Sequence, residues 1–378
     1  MMTKTGATFF ERFLLPGLAF KAVIIGGGYA TGRELVEFFL PSGPRGGLLA
    51  MLLAMVVWSV VCTITFLFAR LTDSNDYRTF FRNLLGPLWI VFEIAYLAFI
   101  VLMLSVYGAA AGEIGGAVFG WPTLLGTLCL VGAIAFCVTF GNESVERVFK
   151  YVSFFLYGVY GVFLVLALST FGERILQNFS AASPMDGWVT AGMTYTGYNI
   201  IGAVVILPVL RHMTSRRDTI VAGLLCGPLG MIPAILFFIC MMAYYPEVGQ
   251  QTLPSNFLLA RLNLPAFQIT FQLMILAALL ESGTGGIHAV NERVSATVAS
   301  TRGHKISNGT RLAVASVLLI LSVFFADRFG LVELIAKGYR VIAFVFLATY
   351  VVPLLVYGSW RVFRAGASAE LAAKDAVI

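Results

Sequence analysis

The chain has 378 residues, of which 59% are hydrophobic and only 12% are charged, and its mean hydropathy is +0.89. This composition excludes an ordinary water-soluble domain and predicts that most residues lie in lipid-embedded helices. The net charge of +6 does not call for nucleic acid, because the basic residues follow a membrane pattern described below. No cleavable signal peptide is expected, since the first apolar stretch is interrupted by polar residues.

Reactive and metal-binding side chains form no recognisable pattern. The five cysteines lie in apolar segments without a C-x-x-C pair, and the three histidines are far apart in the sequence. There is no G-x-x-x-x-G-K-S/T nucleotide-binding loop and no paired nucleophile and base. We therefore expect neither an enzyme nor a bound cofactor, apart from Na⁺ or H⁺ in a coupling role.

The most informative stretch is residues 22–39, which reads AVIIGGGYATGRELVEFF. It begins as an apolar helix and is interrupted by the three glycines at positions 26–28. A T-x-x-E pattern at Thr31 and Glu34 then predicts a capping box at a new helix start. Free backbone groups are costly in hydrocarbon, so a broken helix at bilayer depth indicates a cavity or a bound solute. A Gly-rich packing surface is the alternative, but it would not explain the capping box.

Windows of about 20 apolar residues predict ten membrane spans. The spans cover residues 12–40, 46–70, 88–118, 122–141, 143–171, 188–212, 217–245, 266–296, 309–327 and 331–360. With a cytoplasmic N-terminus, the basic residues lie mainly on the inner side, and only Arg45, Arg174, Arg261 and Arg328 fall outside. The positive-inside rule therefore predicts that both termini are cytoplasmic.

Ten spans are typical of two five-helix halves with opposite topology. The predicted halves are residues 12–171 and 188–361, with an extracellular loop at 172–187 and cytoplasmic segments at 1–11 and 362–378. The first helix of the second half is predicted to break at Thr194 to Asn199, the equivalent of the first break. Short amphipathic segments, NDYRTFFRNLLGP and SNFLLARLNLP, precede the long third helix of each half.

The GGGYATGREL segment, the chain length and the ten spans resemble the YkvI-like family of bacterial amino acid permeases, within the amino acid/polyamine/organocation superfamily. The resemblance covers essentially the whole chain, and GGGYATGREL is its specific motif. It implies an all-α polytopic membrane protein with a LeuT-type 5+5 inverted repeat. It also implies a bacterial inner-membrane location, with solute held between broken helices 1 and 6.

The two predicted breaks would face each other at the bilayer midplane and form a substrate site. A helix start directs amides at the gap, which suits a carboxylate, whereas freed carbonyls suit an ammonium group or Na⁺. An amino acid carries both charged groups. The candidate substrate-binding residues are Gly26, Gly27, Gly28, Tyr29, Thr31, Gly32, Tyr195, Thr196, Tyr198 and Asn199. For each tyrosine, ordinary packing between helices is the alternative.

Ionisable residues inside spans are the candidates for ion coupling. Glu281 begins a polar, Gly-rich segment, and the resemblance to Na⁺-coupled relatives implies that Ser282 and Thr284 bind sodium. Alternatively, Glu281 takes up a proton, and Lys21 pairs with it in place of sodium. In some proton-coupled relatives a lysine of the fifth helix has this role, but Lys150, the nearest match, is expected to snorkel. These residues favour H⁺ slightly over Na⁺.

Arg33 and Glu34 are predicted to form a charged outer gate, with a structural ion pair and helix capping as their respective alternatives. Their candidate partners are Glu37, Glu113, Glu333, Lys337 and Arg340. The leading interpretation is a secondary transporter of amino acids or related small organic solutes that works by alternating access. A membrane receptor of the same fold, which binds a ligand without moving it, is the alternative. The expected partners of this protein are a small-molecule substrate and the lipid bilayer.

Overall fold

The computed structural model describes residues 7–140, 143–302 and 306–365, and the regular elements within these ranges are helical. The first half contains α1 (Leu15–Ile24), α2 (Gly27–Thr31), α3 (Arg33–Phe39), α4 (Gly43–Leu71), α5 (Tyr77–Leu85), α6 (Trp89–Phe119), α7 (Thr123–Phe140) and α8 (Glu143–Ser180). The second half contains α9 (Trp188–Asn199), α10 (Gly202–Val205), α11 (Arg216–Met241), α12 (Pro254–Arg261), α13 (Pro265–Arg302), α14 (Asn308–Glu333) and α15 (Arg340–Phe346). The π-helical turns Leu334–Tyr339, Leu347–Val351 and Leu354–Gly358 flank α15. Most of the predicted cytoplasmic terminal segments lie outside the described residues.

Within the described residues, six helical stretches are long and apolar enough to cross a membrane. They are Arg33–Leu71, Tyr77–Phe119, Phe154–Ser180, Arg216–Tyr244, Pro265–Ala299 and Asn308–Ala365. The last has 58 residues, and its backbone leaves the helical conformation at Gly330 (φ 69°, ψ 172°). The chain is therefore an all-helical, multi-pass membrane protein. The ten spans and the inverted five-helix repeat remain predictions.

The predicted break in the first helix is confirmed, but its location differs. α1 ends at Ile24, and Gly26 has an extended backbone (φ −111°, ψ −169°). α2 has only five residues, and Gly32 then adopts the left-handed conformation (φ +79°) that separates α2 from α3. That conformation is readily accessible only to glycine. The first helix is thus interrupted twice, before α2 and after it, rather than once at the three glycines.

The predicted break at Thr194 to Asn199 is wrong, because these residues form the last two turns of α9. Their side chains bond to carbonyls one turn earlier: the Thr196 hydroxyl donates to Gly192 at 2.8 Å and the Asn199 amide to Tyr195 at 3.2 Å. Polar side chains are accommodated inside a helix in this way. The interruption follows at Ile200 and Ile201, before the short α10.

Each predicted amphipathic segment is confirmed as a short helix before a long one. α5 is capped by Asp76, whose carboxylate accepts a hydrogen bond of 2.9 Å from the Thr79 amide, and it leads into the 31-residue α6. α12 has eight residues and precedes the 38-residue α13. The same order of a short and a long helix therefore occurs in both halves of the chain.

Close contact between small residues joins α4 to α11. A Cβ atom on Gly227 would lie 2.1 Å from the Met55 carbonyl oxygen, so only glycine allows this approach. The Ser59 hydroxyl donates a hydrogen bond of 2.8 Å to the Leu224 carbonyl across the same interface. Lipid tails are as apolar as the side chains, so close packing and hydrogen bonds of this kind hold membrane helices together. α11 in turn packs against α1, which leads to the break.

Basic residues predicted to be cytoplasmic cluster at one end of the helices. The Arg12 guanidinium donates to both carboxylate oxygens of Asp218, at 2.9 and 2.7 Å. Arg70, at the end of α4, donates to the Thr219 hydroxyl at 2.8 Å. Arg45, predicted to lie outside, is at the opposite end of α4. This grouping agrees with the predicted topology, and the side of the membrane that it faces stays a prediction.

Candidate functional site

A cavity of about 290 Å³ lies beside the break in the first helix. The last turn of α1 and Asn199, the final residue of α9, contribute to its wall, and the rest comes mainly from α6 and α13. Most of the lining is apolar, and Tyr107, Asn199 and Ser282 add polar groups. Small-molecule sites usually have this form, a concave apolar surface with a few convergent polar groups.

A second, larger cavity of about 640 Å³ lies between α6 and α14. Its lining includes Leu321 and Val341, which are 40% and 61% exposed. Such exposed apolar side chains would face lipid in a membrane, and no residue at the breaks in the first helix lines this groove. The smaller cavity, which meets the helix breaks, is the candidate solute site.

Gly26 brings the backbone of the break against Tyr107 of α6. A Cβ atom on Gly26 would lie 2.6 Å from the Tyr107 hydroxyl oxygen. The same hydroxyl interacts with the Ser282 side chain, so α6 and α13 meet the break at this point. The sequence carries no local signal for Tyr107, which lies among alanines and glycines in the middle of a long helix.

The Glu34 carboxylate turns back toward the break instead of capping α3. Glu34 is 3% exposed, and its carboxylate accepts a hydrogen bond of 2.5 Å from the Tyr198 hydroxyl. The backbone N–H of Tyr29 donates to the same carboxylate. A Cβ atom on Gly28 would lie 2.3 Å from a Glu34 carboxylate oxygen, so the glycine leaves room for this side chain.

The predicted capping box is therefore wrong. α3 begins after Gly32, an N-cap residue without a side chain, and the Thr31 hydroxyl accepts a long hydrogen bond of 3.4 Å from the Arg33 amide. The same hydroxyl donates a hydrogen bond of 3.1 Å to the Gly28 carbonyl. Because the left-handed glycine moves the helix start one residue past Thr31, the T-x-x-E spacing no longer matches the first turn.

Buried tyrosines surround the Glu34 carboxylate, and we call this group the tyrosine cluster. Its members are Tyr29, Tyr107, Tyr195, Tyr198 and Tyr339. The Tyr198 ring stacks on Tyr339 with 4.5 Å between centroids, and Tyr195 meets Tyr198 edge to face at 5.6 Å. Within the described residues, the hydroxyls of Tyr29 and Tyr195 have no hydrogen-bond partner. The predicted tyrosines of both halves are thus brought together, and Tyr107 and Tyr339 are unpredicted additions.

Thr196 and Asn199 lie on different sides of α9. Thr196 is fully buried, and its carbonyl accepts a hydrogen bond of 3.5 Å from the Trp58 indole. Asn199 lines the cavity. Of the predicted substrate-binding residues in α9, Asn199 is therefore the one whose side chain can contact a solute in the cavity.

The predicted outer gate is divided between two environments. The Arg33 guanidinium pairs with Glu37 at 2.8 Å and donates to the carbonyls of Gly249 and Gln251 at 3.3 and 3.0 Å. Glu37 also lies 3.9 Å from Arg340. Arg33 thus ties α3 to a neighbouring loop, as a gate residue would, whereas Glu34 faces inward to the tyrosine cluster.

The predicted coupling residues lie around Tyr157 and on opposite faces of α13. The Lys21 ammonium is 3.9 Å from the centroid of the Tyr157 ring, and Glu281 shares a cavity of about 130 Å³ with Tyr157 and Ser282. Neither Lys21 nor Glu281 forms an ion pair with another described residue, so their predicted pair is not formed. Thr284 faces Cys137 of α7, on the side of α13 away from Ser282.

Two further predictions concern metal ligands and the fifth helix. Among the described residues, no group of three or more His, Cys, Asp or Glu side chains could hold a metal ion. The side chain of Lys150, in the first part of α8, lies outside the described part of the chain.

Comparison with known proteins finds a membrane protein of similar sequence and transporters of similar structure. No family model matches the chain. The uncharacterized membrane protein YkvI of Bacillus subtilis (strain 168) is 21% identical over 331 residues, which cover 86% of this chain and 90% of YkvI. Among solved structures, MhsT in complex with L-phenylalanine matches with a TM-score of 0.57 and 18% identity, over 94% of this chain and 95% of MhsT. The chain is YkvI-like and has a LeuT-type fold.

Two more transporter structures share the fold of this YkvI-like protein. A Na⁺-coupled sialic acid symporter has a TM-score of 0.59 at 12% identity, over 94% of this chain and 82% of its own. The manganese transporter of Eremococcus coleocola has a TM-score of 0.56 at 14% identity, over 94% and 80%. The similarity establishes the architecture, and the solutes named for these proteins belong to them.

Proposed function

We propose that this YkvI-like protein is a secondary transporter of amino acids or related small organic solutes that works by alternating access. The observation that carries the proposal is the cavity of about 290 Å³ that meets both the broken first helix and the end of α9. Free backbone groups inside a bilayer are costly unless a cavity or a ligand satisfies them. A helix break that opens onto a cavity therefore supports a solute site. MhsT, which has the same fold, was crystallised with L-phenylalanine.

The lining of the cavity supports a solute with one polar and one apolar end. Phe99, Ile100 and Met103 provide an apolar wall from α6, and Ser282 and Asn199 provide hydrogen-bonding groups from α13 and α9. An amino acid with an apolar side chain has this distribution of groups. Such an amino acid is also small enough for this cavity, which is at the small end of the range of about 300 to 1,000 Å³ for ligand sites.

For coupling we propose an ion gradient, with H⁺ favoured over Na⁺. The position of Thr284, toward Cys137 and away from the cavity that Ser282 and Glu281 line, supports this choice over one sodium ion bound by both hydroxyls. Hydroxyls that bind one cation must converge on it. The proposed topology has ten spans in two inverted halves, with both termini cytoplasmic in a bacterial inner membrane.

The test is uptake of a panel of labelled amino acids into proteoliposomes under a pH gradient, under a Na⁺ gradient and without either. We expect accumulation of an apolar amino acid under the pH gradient, together with counterflow when unlabelled amino acid is inside. Binding without either flux would support the receptor alternative. Absence of both binding and flux for every amino acid tested would contradict the proposal.

A cavity-filling variant connects this activity to the proposed site. A Cβ atom on Gly285 meets nothing within 4 Å, so Gly285→Leu should fill the cavity without disturbing helix packing. We expect it to abolish uptake and counterflow. Gly132→Leu in α7 is the matched control, because its Cβ also meets nothing within 4 Å but it does not line the cavity. Equal transport activity of Gly285→Leu and Gly132→Leu would show that this cavity is not the solute site.

A further inference from the structure

We propose that Glu34 is a proton-binding site, and that its protonation, rather than that of Glu281, couples the solute site to a pH gradient. The coupling part rests on the proposed transport function, whereas the proton site does not. In binding, one carboxylate oxygen takes up one proton, and no covalent bond is broken.

The first observation is that the Glu34 carboxylate is buried and has no cationic partner among the residues that the structure describes. The adjacent Arg33 guanidinium is directed away, to Glu37 and two backbone carbonyls. The Lys21 ammonium lies over the Tyr157 ring, and Lys21 shares a small cavity with Tyr29 that Glu34 does not line. Within the described residues, no Lys, Arg or His forms an ion pair with Glu34.

The titratable groups that face Glu34 are the hydroxyls of the tyrosine cluster. They come from α2, α6, α9 and the π-helical turn Leu334–Tyr339. The loop at 247–250 contributes the Gly249 carbonyl to Arg33, while its own Glu247 pairs with Arg261. Lys337 in the π-helical turn pairs with Glu333. Within the described part of the chain, the surroundings of Glu34 thus supply hydrogen bonds but no positive charge.

A bound proton removes the energetic cost of burying the Glu34 carboxylate as a charged group. An ionised carboxylate removed from water without a counter-charge costs several kcal/mol, more than one or two hydrogen bonds of about 1–3 kcal/mol offset. The protonated form carries no charge and still accepts from the Tyr198 hydroxyl and the Tyr29 amide. Its own O–H needs an acceptor. The hydroxyls of Tyr29 and Tyr195 in the same cluster have no partner among the described residues, Glu34 included, so one of them must move toward the carboxyl group to accept this bond.

The packing favours a proton over a larger cation. Glu34 lines none of the four cavities described above, so a sodium ion or a solute ammonium would have to displace tyrosine rings to reach it. Glu281, by contrast, is only partly buried and lines the cavity of about 130 Å³, where its ionised form can be solvated. Water is therefore excluded from the Glu34 carboxylate but not from that of Glu281. We propose Glu34 as the proton carrier because exclusion of water favours the protonated form.

The position of Glu34 connects proton binding to alternating access. Its carboxylate is on α3, next to the break, whereas its donor Tyr198 is on α9. A movement that separates these helices removes the donor and admits water to the carboxylate. The proton is then free to leave, so release accompanies opening of the site.

Infrared spectroscopy tests the proton site without any solute. The full-length protein in lipid at neutral pH is compared with Glu34→Gln. We expect wild type to show the carbonyl stretch of a protonated carboxylic acid, and the variant to lack it. The control Glu281→Gln should instead lose carboxylate bands. Loss of carboxylate bands in Glu34→Gln would show that Glu34 is ionised and would overturn the proposal.

Proteoliposome flux tests the coupling. For Glu34→Gln we expect accumulation driven by a pH gradient to fall about tenfold or more, with counterflow nearly unchanged, because the neutral amide still closes the site but carries no proton. Glu281→Gln should retain both. Full pH-driven accumulation in Glu34→Gln overturns the coupling. If wild type moves no amino acid at all, the coupling fails together with the proposed function, and the infrared result decides the proton site by itself.

Tyr198→Phe provides a second variant that does not remove the carboxylate. It keeps the ring packed on Tyr339 and deletes only the hydrogen bond to Glu34. The ionised form loses a donor, so we expect the pH profile of driven uptake to move to higher pH. An unchanged profile would contradict a coupling role for Glu34, because a merely structural tyrosine would leave it in place.

Discussion

The Tyr198 hydroxyl donates a 2.5 Å hydrogen bond to the Glu34 carboxylate and so joins α9 to α3 across the break in the first helix. The two residues are 164 positions apart in the chain. Each belongs to the interrupted helix of its own half. The contact therefore depends on the relative position of the two helices between which the solute site is proposed to lie.

Gly28→Ala should disturb this contact selectively. The added Cβ would lie 2.3 Å from a Glu34 carboxylate oxygen, so the side chain must move away from Tyr198. We expect solute affinity to fall about tenfold, while the strain destabilises the fold by about 1–3 kcal/mol. Binding by isothermal calorimetry and thermal unfolding measure the two effects. Gly132→Ala, whose Cβ meets nothing within 4 Å, is the control and should change neither; equal losses in both variants would contradict the argument.

Ser282→Ala and Thr284→Ala should differ in their effect on uptake. Ser282 lines the candidate cavity and interacts with Tyr107, whereas Thr284 faces Cys137. We expect Ser282→Ala to lower solute affinity by about 1 kcal/mol, the usual contribution of one hydrogen bond, and Thr284→Ala to leave it unchanged. Binding constants of the two purified variants check this. A larger loss for Thr284→Ala would restore its predicted place in the site.

Arg12→Ala should loosen the attachment of the N-terminal segment to α11. It leaves the Asp218 side chain, which is only 2% exposed, without its cationic partner. Asp218 keeps hydrogen bonds from the Thr214 backbone and hydroxyl. We therefore expect a loss of about 1–3 kcal/mol in unfolding free energy. Chemical unfolding in detergent measures it.

Arg261→Ala is the matched control for Arg12→Ala. Arg261 and Glu247 form an ion pair at 2.9 Å, but their side chains are 42% and 50% exposed. Exposed pairs contribute about 0–1 kcal/mol, because water and salt screen them. Equal destabilisation by the two variants would indicate that burial of Asp218 does not matter.

Trp58→Ala should be the most damaging of these changes to stability. Trp58 is fully buried, and its ring lies 5.4 Å from Phe20 and 5.7 Å from Tyr195 between centroids. Removing a buried tryptophan leaves a cavity and costs about 3–5 kcal/mol. The control is Val56→Ala on the same helix; Val56 is 55% exposed, so we expect less than about 1 kcal/mol. Thermal unfolding in detergent compares them, and similar melting temperatures would contradict the packing role.

The sequence allows the first break and the short helices to be predicted because their signals are local. Glycines at positions 26–28 and Gly32 weaken a helix through their own backbone freedom. Asp76 marks the start of α5 by capping it, and Pro254 begins α12. The polar run from Thr194 to Asn199 gives a false signal, since intrahelical hydrogen bonds accommodate these side chains.

The site residues are less predictable because their roles depend on distant partners. Glu34 matches a capping motif in sequence, but it bonds to Tyr198 once Gly28 leaves space for it. Tyr107 and Tyr339 have no distinguishing neighbours in the sequence, and they reach the cluster through the packing of α6 and the π-helical turn.

The sequence by itself determined that this protein is helical, lies in a membrane and has an interrupted first helix. These properties follow from hydropathy, from glycine, and from the requirement of lipid that backbone groups be satisfied within the protein. The tertiary structure alone decided where the helix that begins the second half is interrupted, which carboxylate is buried, and which tyrosines surround it. Burial and hydrogen bonding of a side chain depend on which helices pack together, and no local pattern in the chain specifies that.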